Sequence, residues 1–393
     1  MRVALTTTFS PWDARAGVAQ FGARELAEAL HARGVEVAVV YTMEGHAERR
    51  LESDTPYPVR WASVLRTVRR RGAAAMSEHA APVAWALHEL DRERRVSVVH
   101  GQGEEMALVP DAIPRAKRVV SAHPIERSAV RRAKGGDDPG PCASSTRAAL
   151  EMADAVVVAG ARDMRASMIA PLVAWERVVA IERGVPRRFF GGDTLFGAGA
   201  PTHLLVVGGS GDDAKSRMLL DGLRRLPSDR YLPVCWLTAF GEARRARVKA
   251  PSHLSLPPGV ELLGLPDERS LQRLVGRASE IILLDGSDTA GELLRVAVTM
   301  GKRISTCEEA VRAVVTPLEG LVLGGLPSTA QGFAELLSEA SRRTDLRASD
   351  AHLLRSFARE HFSWEAVAGR HIRLYERLLR SGEEMASPTP DSD

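Results

Sequence analysis

The chain has 393 residues, a length that favours two domains. Of these residues, 45% are hydrophobic and 26% are charged, which is typical of globular proteins. A formal net charge of +3 gives no overall field of the kind that marks a nucleic-acid-binding protein. The cysteines, Cys142, Cys235 and Cys307, are far apart and indicate neither a zinc motif nor a disulfide framework. No apolar run suits a signal peptide or a membrane span, so a cytoplasmic protein is expected.

The first half of the chain alternates short apolar runs with amphipathic helical segments. A helix is predicted over residues 18–33, ending at Gly34. The apolar runs predict strands at residues 3–6, 35–41, 96–100, 118–123 and 155–159. Strands that alternate with helices in this way imply βαβ units and a parallel sheet.

A segment rich in glycine and proline, residues 184–201, interrupts this pattern as a linker would. The pattern then resumes, with strands predicted at residues 203–208, 232–237, 260–264 and 281–284. The predicted fold class is therefore α/β, with two Rossmann-like doubly wound domains facing a cleft. These domains are predicted at residues 1–190 and 200–360, and the small, polar tail at residues 385–393 is predicted to be disordered.

The segment most suggestive of function covers residues 281–302. An apolar strand ends there in an acidic turn, and the apolar helix that follows closes at Gly301. Ligands of open α/β sheets bind at such edges, because a helix N-terminus presents unpaired N–H groups to an anion. The residues of this helix start are Asp288, Thr289, Gly291 and Glu292, and they are candidate ligand contacts.

Several motifs, in their order along the chain, resemble those of family 4 retaining glycosyltransferases, which have the GT-B fold. Residues 16–21 and 25–37 resemble that family's N-terminal glycine loop and first helix. Residues 153–159 and 176–185 resemble the end of its N-terminal domain, and residues 362–379 resemble its closing helix. The likeness covers roughly residues 1–380, and it implies that the helix at residues 363–381 returns to the N-terminal domain.

The resemblance implies an enzyme that transfers a sugar from a nucleotide-sugar donor to an acceptor with retention. Helix N-termini and basic side chains would neutralise the departing diphosphate, so neither a metal nor another cofactor is expected. An epimerase of the same fold, acting on a UDP-sugar, fits the order of the motifs less well. A non-catalytic homologue that serves as a partner or regulatory subunit is the main alternative.

In the N-terminal half, the resemblance assigns two residues to the site. Gly17 would allow close approach of the backbone to a phosphate, although an ordinary turn after the first strand explains it equally well. His123 would face the donor sugar as a catalytic residue, or else it ends a strand with its ring bonded to the backbone. His100, one strand earlier, would line the cleft or simply pack.

In the C-terminal half, the likeness is weaker. Gly209, in the glycine turn with Gly208, stands where the family has an arginine. Lys215 lies within one residue of the family's diphosphate-binding lysine, and Arg217 is a candidate substitute for the missing arginine. All four residues are therefore predicted to contact the donor.

The family's two glutamates, eight residues apart, correspond by position to Asp288 and Val296. Asp288 keeps a carboxylate and is the second candidate catalytic residue, whereas valine cannot accept a hydrogen bond from a ribose. Glu292, one turn beyond Asp288, is a possible replacement. Alternatively, these acids are a solvated cap that stabilises the helix through its dipole.

Two basic clusters, at residues 66–71 and 131–134, lie in the predicted acceptor half. Such clusters can rest on anionic lipid headgroups, which would place the protein peripherally at the inner face of a membrane. Contact with a membrane would suit a lipid-linked or polysaccharide acceptor. Alternatively, the two basic clusters are part of the solvated surface. No nucleic-acid partner is expected, because no recognised motif accompanies the arginines.

Overall fold

The computed structural model describes residues 1–7, 10–12, 18–44, 55–64, 73–101, 104–122, 141–159, 173–191, 201–209, 213–227, 231–237, 255–264, 266–285, 288–306, 315, 318, 323–342 and 348–386. Gly17, His123, both basic clusters and all but the first two residues of the tail at 385–393 lie outside these ranges. The contacts divide the chain into two units. One unit is Met1–Gly184 together with Trp364–Asp393, and the other is Val185–Ser363.

The first unit is built on a parallel sheet of seven strands, in the order β3-β2-β1-β4-β5-β6-β7. The strands are β1 (Arg2–Thr7), β2 (Glu36–Glu44), β3 (Val59–Val64), β4 (Val98–Gly101), β5 (Lys117–Ala122), β6 (Ala155–Val158) and β7 (Val178–Ala180). The helices between them are α1 (Val18–Ala32), α2 (Ala73–Glu93), α3 (Val109–Ala112) and α4 (Pro141–Met152). Short 3₁₀ helices occupy Glu104–Leu108 and Trp175–Arg177.

Helices cover both faces of this first sheet. Side chains alternate across a strand, so Val3 and Leu5 of β1 join the core beneath α1, whereas Ala4 joins the core beneath α2 and α4. All six residues of β1 are buried. Burial on both faces is why the strands are continuous apolar runs in the sequence.

The second unit repeats this plan with six parallel strands, in the order β10-β9-β8-β11-β12-β13. The strands are β8 (His203–Val207), β9 (Val234–Leu237), β10 (Val260–Leu263), β11 (Ala278–Leu283), β12 (Ile304–Thr306) and β13 (Leu323–Gly324). The helices are α5 (Ala214–Arg225), α6 (Glu268–Arg277), α7 (Asp288–Thr299), α8 (Ala330–Arg342) and α9 (Ala348–Phe362), preceded by a 3₁₀ helix at Arg187–Gly191.

The prediction of an α/β protein with two doubly wound parallel sheets is confirmed. In each sheet the strand order reverses beside the first strand, at β1/β4 and at β8/β11. Such reversal points are where open α/β sheets bind ligands, at the carboxyl ends of the strands. The strands β3, β7, β12 and β13 were not predicted from the sequence; three of them lie at or next to a sheet edge and have three residues or fewer.

The last helix, α10 (Trp364–Ala386), belongs to the first unit. Its apolar face, which includes Val367, Leu374 and Tyr375, joins the core beneath α1. Trp364 lies flat against the backbone at Gly184, where an added β-carbon would be 2.3 Å from the indole Cδ2. Only a glycine fits there, so this glycine and the tryptophan together fix the start of α10 on the first unit.

Candidate functional site

The turn after β8 consists of two glycines with left-handed backbone conformations. The φ angles are +82° at Gly208 and +76° at Gly209. A β-carbon on Gly208 would lie 2.5 Å from the Asp285 carboxyl carbon, and one on Gly209 would lie 2.3 Å from Ser216 Oγ. Both conformation and space therefore require glycine at the two positions.

Hydrogen bonds from the two neighbouring strands hold this turn. The Gly209 N–H donates to Asp285 Oδ2 at the end of β11, over 2.8 Å. Trp236 Nε1 on β9 donates to the Gly208 carbonyl over 2.8 Å. The N–H that would be offered to a phosphate in a glycine loop is thus bonded to a carboxylate of the protein itself.

A second carboxylate caps the helix that follows the turn. Asp213 is the N-cap of α5 and accepts hydrogen bonds from Ser216 N over 2.9 Å and from Ser216 Oγ over 2.5 Å. Lys215 lies in the first turn of α5 and is half-buried, and Arg217 is exposed. Asp213 and Asp285 therefore both accept hydrogen bonds from backbone N–H groups at this edge of the sheet, where Lys215 and Arg217 lie in the first turn of α5.

The other helix start at this reversal point belongs to α7. Asp288 and Thr289 are its first two residues, and Gly291 and Glu292 follow as half-buried residues of the first turn. The structure describes the backbone of the first two and not their side chains. Two predicted groups, the glycine turn and the start of α7, therefore follow adjacent strands and lie at one edge of the sheet.

The sequence analysis missed a buried cation on α7. Arg295 is 6% exposed, and its Nη1 is the nearest atom, at 3.9 Å, to a β-carbon placed on Gly291. Side chains on a helix point toward its N-terminus, so an arginine four residues after Gly291 reaches back to the first turn. The four-residue spacing between Gly291 and Arg295 is visible in the sequence. The sequence does not show, however, whether the arginine side chain points toward the start of the helix or toward solvent.

Val296, the position that aligns with the family's second glutamate, is 6% exposed and packs in the apolar core of the second unit. Its backbone position therefore presents a side chain to the core. A carboxylate there would be buried among apolar groups, so the ribose contact of the family has no equivalent at this residue.

His100, at the end of β4, packs inside the first unit. It is 4% exposed, with Nδ1 2.7 Å from the Tyr375 hydroxyl and Nε2 2.8 Å from Ser121 Oγ. Its ring stacks on His371, with centroids 5.2 Å apart. Of the two roles considered for His100, the structure therefore shows packing, in a buried polar cluster that attaches α10 to the sheet.

Burial shifts the pKa values of two members of this cluster, His371 and Tyr375. It lowers the pKa of His371 to about 4, against an ordinary 6.5, although the hydrogen bond to the Val367 carbonyl partly opposes that shift. Burial also raises the pKa of Tyr375. At neutral pH both side chains are uncharged, as their apolar surroundings require.

Within the described residues, no group of three or more His, Cys, Asp and Glu side chains is placed to hold a metal ion. In that same part of the chain, no helix is long and apolar enough to cross a membrane.

No protein-family model and no curated protein matches the chain. Solved structures do match it over nearly its whole length. A glycosyltransferase from Rickettsia africae ESF-5 has 13% identity and a TM-score of 0.62, covering 96% of this chain and 98% of that one. Sucrose-phosphate synthase from Thermosynechococcus elongatus has 15% identity and a TM-score of 0.64, covering 97% and 99%.

Anabaena HepE, solved in complex with UDP and glucose, is a third similar structure. It has 14% identity and a TM-score of 0.60, covering 95% of this chain and 99% of that one. At such identities the likeness concerns the fold. The chain therefore has the GT-B fold of these glycosyltransferases.

Proposed function

We propose that the protein is a glycosyltransferase that moves a sugar from a nucleotide-sugar donor to an acceptor. The observation that carries the proposal is the carboxyl edge of the second sheet at β8 and β11, where the strand order reverses and both α5 and α7 begin. This is the position at which doubly wound sheets bind nucleotides. HepE, whose fold is similar, has been solved with UDP and with UDP-glucose.

The donor's diphosphate would be held at the start of α7. The helix N-terminus supplies N–H groups and a positive dipole end, and Lys215 of α5 and Arg295 of α7 would supply positive charge. Thr289, Gly291 and Glu292 would contact the phosphates and the sugar. In the first unit, Gly17 would approach a phosphate. No metal or other cofactor is proposed, because these groups suffice to neutralise a departing diphosphate.

We further propose that transfer proceeds with retention, as in the family that the sequence resembles. The departing diphosphate would take the acceptor's proton on the face that it leaves, so the protein supplies positioning and charge instead of a nucleophile. Asp288 and His123 are the residues proposed to face the reacting sugar. Arg217, whose side chain is exposed, is proposed as an additional cation for the diphosphate, after Lys215 and Arg295.

The proposed acceptor is lipid-linked or a polysaccharide, made at the cytoplasmic face of a membrane in cell-envelope or glycolipid synthesis. The basic clusters at residues 66–71 and 131–134 motivate this part of the proposal. The exposed side of α2 adds to it, because Trp85 is 67% exposed and Arg92 lies two turns further along the same helix. An exposed tryptophan and an arginine on one helix face suit a lipid interface, although Arg92 also pairs with Glu89 of the same helix over 3.2 Å.

A specific observation favours a second candidate, a catalytically inactive homologue that acts as a partner or regulatory subunit. The Gly209 N–H is bonded to Asp285, and Val296 is buried in the core. A diphosphate at the glycine turn would therefore meet a carboxylate, and the ribose would lack one acceptor.

A thermal-shift titration with UDP, GDP, ADP and their sugar conjugates separates the two candidates. A ligand at one hundred times its dissociation constant adds about 2.7 kcal/mol of stability, which shifts the midpoint by several degrees. We expect a shift with one base, diminished in Lys215→Ala. Arg225→Ala, at the exposed far end of the same helix, is the matched control. No shift with any nucleotide would favour the inactive homologue.

A further inference from the structure

A row of arginines runs along the outward side of α10. Its members are Arg370, Arg373, Arg377 and Arg380, and spacings of three and four residues place them on one side of a helix. The row is roughly 15 Å long, at about 1.5 Å per residue. Arg370 is half-buried and the other three are exposed. The opposite side of α10 packs in the core of the first unit, so the arginines face outward.

Arg33 of α1 extends this row. It is exposed, and its guanidinium carbon is 3.5 Å from a β-carbon placed on Gly369. Gly369 lies on the same side of α10 as Arg373, one turn earlier, so the guanidinium of Arg33 continues the row toward the start of the helix. Two helices therefore contribute cations to one surface, the arginine face, which consists of Arg33, Arg370, Arg373, Arg377 and Arg380.

The described residues supply little negative charge to the arginine face. Within that part of the chain, none of its four exposed arginines forms an ion pair. Glu376 is the exposed glutamate among the α10 side chains that the structure describes. Glu28, an exposed acid of the neighbouring α1, pairs instead with Arg24 over 2.8 Å. The arginine face is therefore a strongly positive surface.

Helix stability does not account for this arrangement. Like charges three or four residues apart on a helix repel, and Arg373 repels Arg377 just as Arg377 repels Arg380. The helix dipole favours cations only in the last turn, whereas α10 continues to Ala386. An anionic partner would replace this repulsion with attraction, so the arginine face is suited to binding one.

The surroundings of the arginine face favour a lipid bilayer over a nucleic acid. Trp364 and Tyr375 of α10 are both buried, so neither ring is available for a base to stack on. The formal net charge of +3 gives no overall field to attract a nucleic acid. A bilayer of anionic phospholipids needs neither feature, because a helix that lies along its surface brings every outward arginine to the headgroups.

We propose that the arginine face docks the first unit on a bilayer of anionic phospholipids. The choice of lipid rests on the lipid-linked acceptor of the proposed function. Because α2 and α10 pack on opposite faces of the first sheet, one flat membrane cannot contact the outward sides of both helices. Arg92 of α2 is paired with Glu89, whereas the exposed members of the arginine face pair with no acid among the described residues. The docking surface is therefore assigned to α10.

The test is co-sedimentation of the full chain with vesicles of equal parts phosphatidylglycerol and phosphatidylcholine. Vesicles of phosphatidylcholine alone are the uncharged control. We expect the wild-type protein to bind only the anionic vesicles. High salt should release it, because the Debye length falls from about 10 Å at 0.1 M salt to about 3 Å at 1 M.

The double variant Arg373→Gln/Arg377→Gln should bind the anionic vesicles roughly thirtyfold more weakly, about fivefold for each arginine removed. The matched control is Arg269→Gln/Arg273→Gln, which removes two exposed arginines with the same spacing from α6 of the second unit and should bind as the wild type does. The double variant relieves a repulsion, so its melting temperature should not fall. If it nevertheless fails to fold, Arg33→Gln and Arg377→Gln decide, each with an expected fivefold loss.

Three outcomes would overturn the proposal. The first is that the wild-type protein does not bind anionic vesicles, or that the double variant binds them equally well. The second is that Trp85→Ala/Arg92→Gln loses binding while the double variant keeps it, which would place the docking surface on α2. The third is that a single-stranded oligonucleotide, and not the vesicles, binds the wild-type protein and is lost in the double variant.

A parallel UDP titration separates this proposal from the proposed function. Vesicle binding that the double variant loses, in a protein that binds no nucleotide, would support docking and contradict the glycosyltransferase proposal. A protein that binds UDP but no anionic vesicles would refute docking by the arginine face and leave the proposed sugar transfer standing.

Discussion

Gly209 and Asp285, 76 residues apart, are joined by a hydrogen bond of 2.8 Å from the glycine N–H to the aspartate carboxylate. The bond links the ends of β8 and β11 at the point where the strand order reverses. In a nucleotide-binding turn that N–H would be available to a phosphate. The aspartate therefore occupies, with its own negative charge, a position at which a donor's phosphate would otherwise be expected.

Replacing Asp285 by asparagine should strengthen nucleotide binding. The amide oxygen can still accept from the Gly209 N–H, so the turn keeps its bond while the site loses one negative charge. We expect UDP or the preferred nucleotide to bind roughly threefold to tenfold more tightly, measured by calorimetry at low salt. Asp221→Asn, at an exposed residue of α5 that bridges to Arg224, should leave the affinity unchanged. Weaker binding of Asp285→Asn would mean instead that the carboxylate contacts the donor.

A side chain in the glycine turn should destabilise the protein. Gly208→Ala forces a side chain onto a φ of +82° and brings its β-carbon to 2.5 Å from the Asp285 carboxyl carbon. We expect the free energy of unfolding to fall by roughly 3 kcal/mol, from backbone strain and overpacking together. Urea denaturation measures it. In Gly325→Ala no atom lies within 4 Å of the new β-carbon, so a comparable loss there would contradict this explanation.

The alternation of strands and helices was predictable because each central strand is buried on both faces and therefore forms a continuous apolar run. The strand β13 has two residues, too few to give a pattern. The bond between Gly209 and Asp285 could not be predicted, because a contact between distant segments depends on the register of β8 against β11. The direction of Arg295 and the position of Arg33 beside Gly369 depend on packing in the same way.

Arg295 should contribute to nucleotide affinity if the diphosphate binds at the start of α7. Its guanidinium lies beside Gly291 in the first turn, and charge-assisted hydrogen bonds contribute about 1.5–3 kcal/mol. We expect Arg295→Gln to weaken binding by roughly tenfold to a hundredfold, with partial recovery in Arg295→Lys. Arg273→Gln, at an exposed residue of α6, is the control. Unchanged affinity in a folded Arg295→Gln variant would leave the arginine a purely structural role.

The buried histidine on α10 should make the protein sensitive to acid. His371 faces His100 of β4 and Tyr375 of its own helix, with Arg370 nearby. Burial lowers its pKa to about 4 from the ordinary 6.5, so between these values the unfolded chain binds a proton that the folded protein does not. Stability is therefore fully present above pH 6.5 and falls as the pH decreases toward 4, by roughly 3 kcal/mol in total.

Urea denaturation at several pH values from 7 to 4 tests this, with His371→Gln beside the wild-type protein. The variant has no proton to take up at this position, so its stability should decline less steeply across that window. Burial also lowers the pKa of His203 in the second unit and adds a slope of the same sign, which the comparison with wild type cancels. His352→Gln, at an exposed residue of α9, should keep the wild-type slope. Parallel curves for the wild type and His371→Gln would show that the pKa of His371 is the same in the folded and the unfolded protein, and would contradict this prediction.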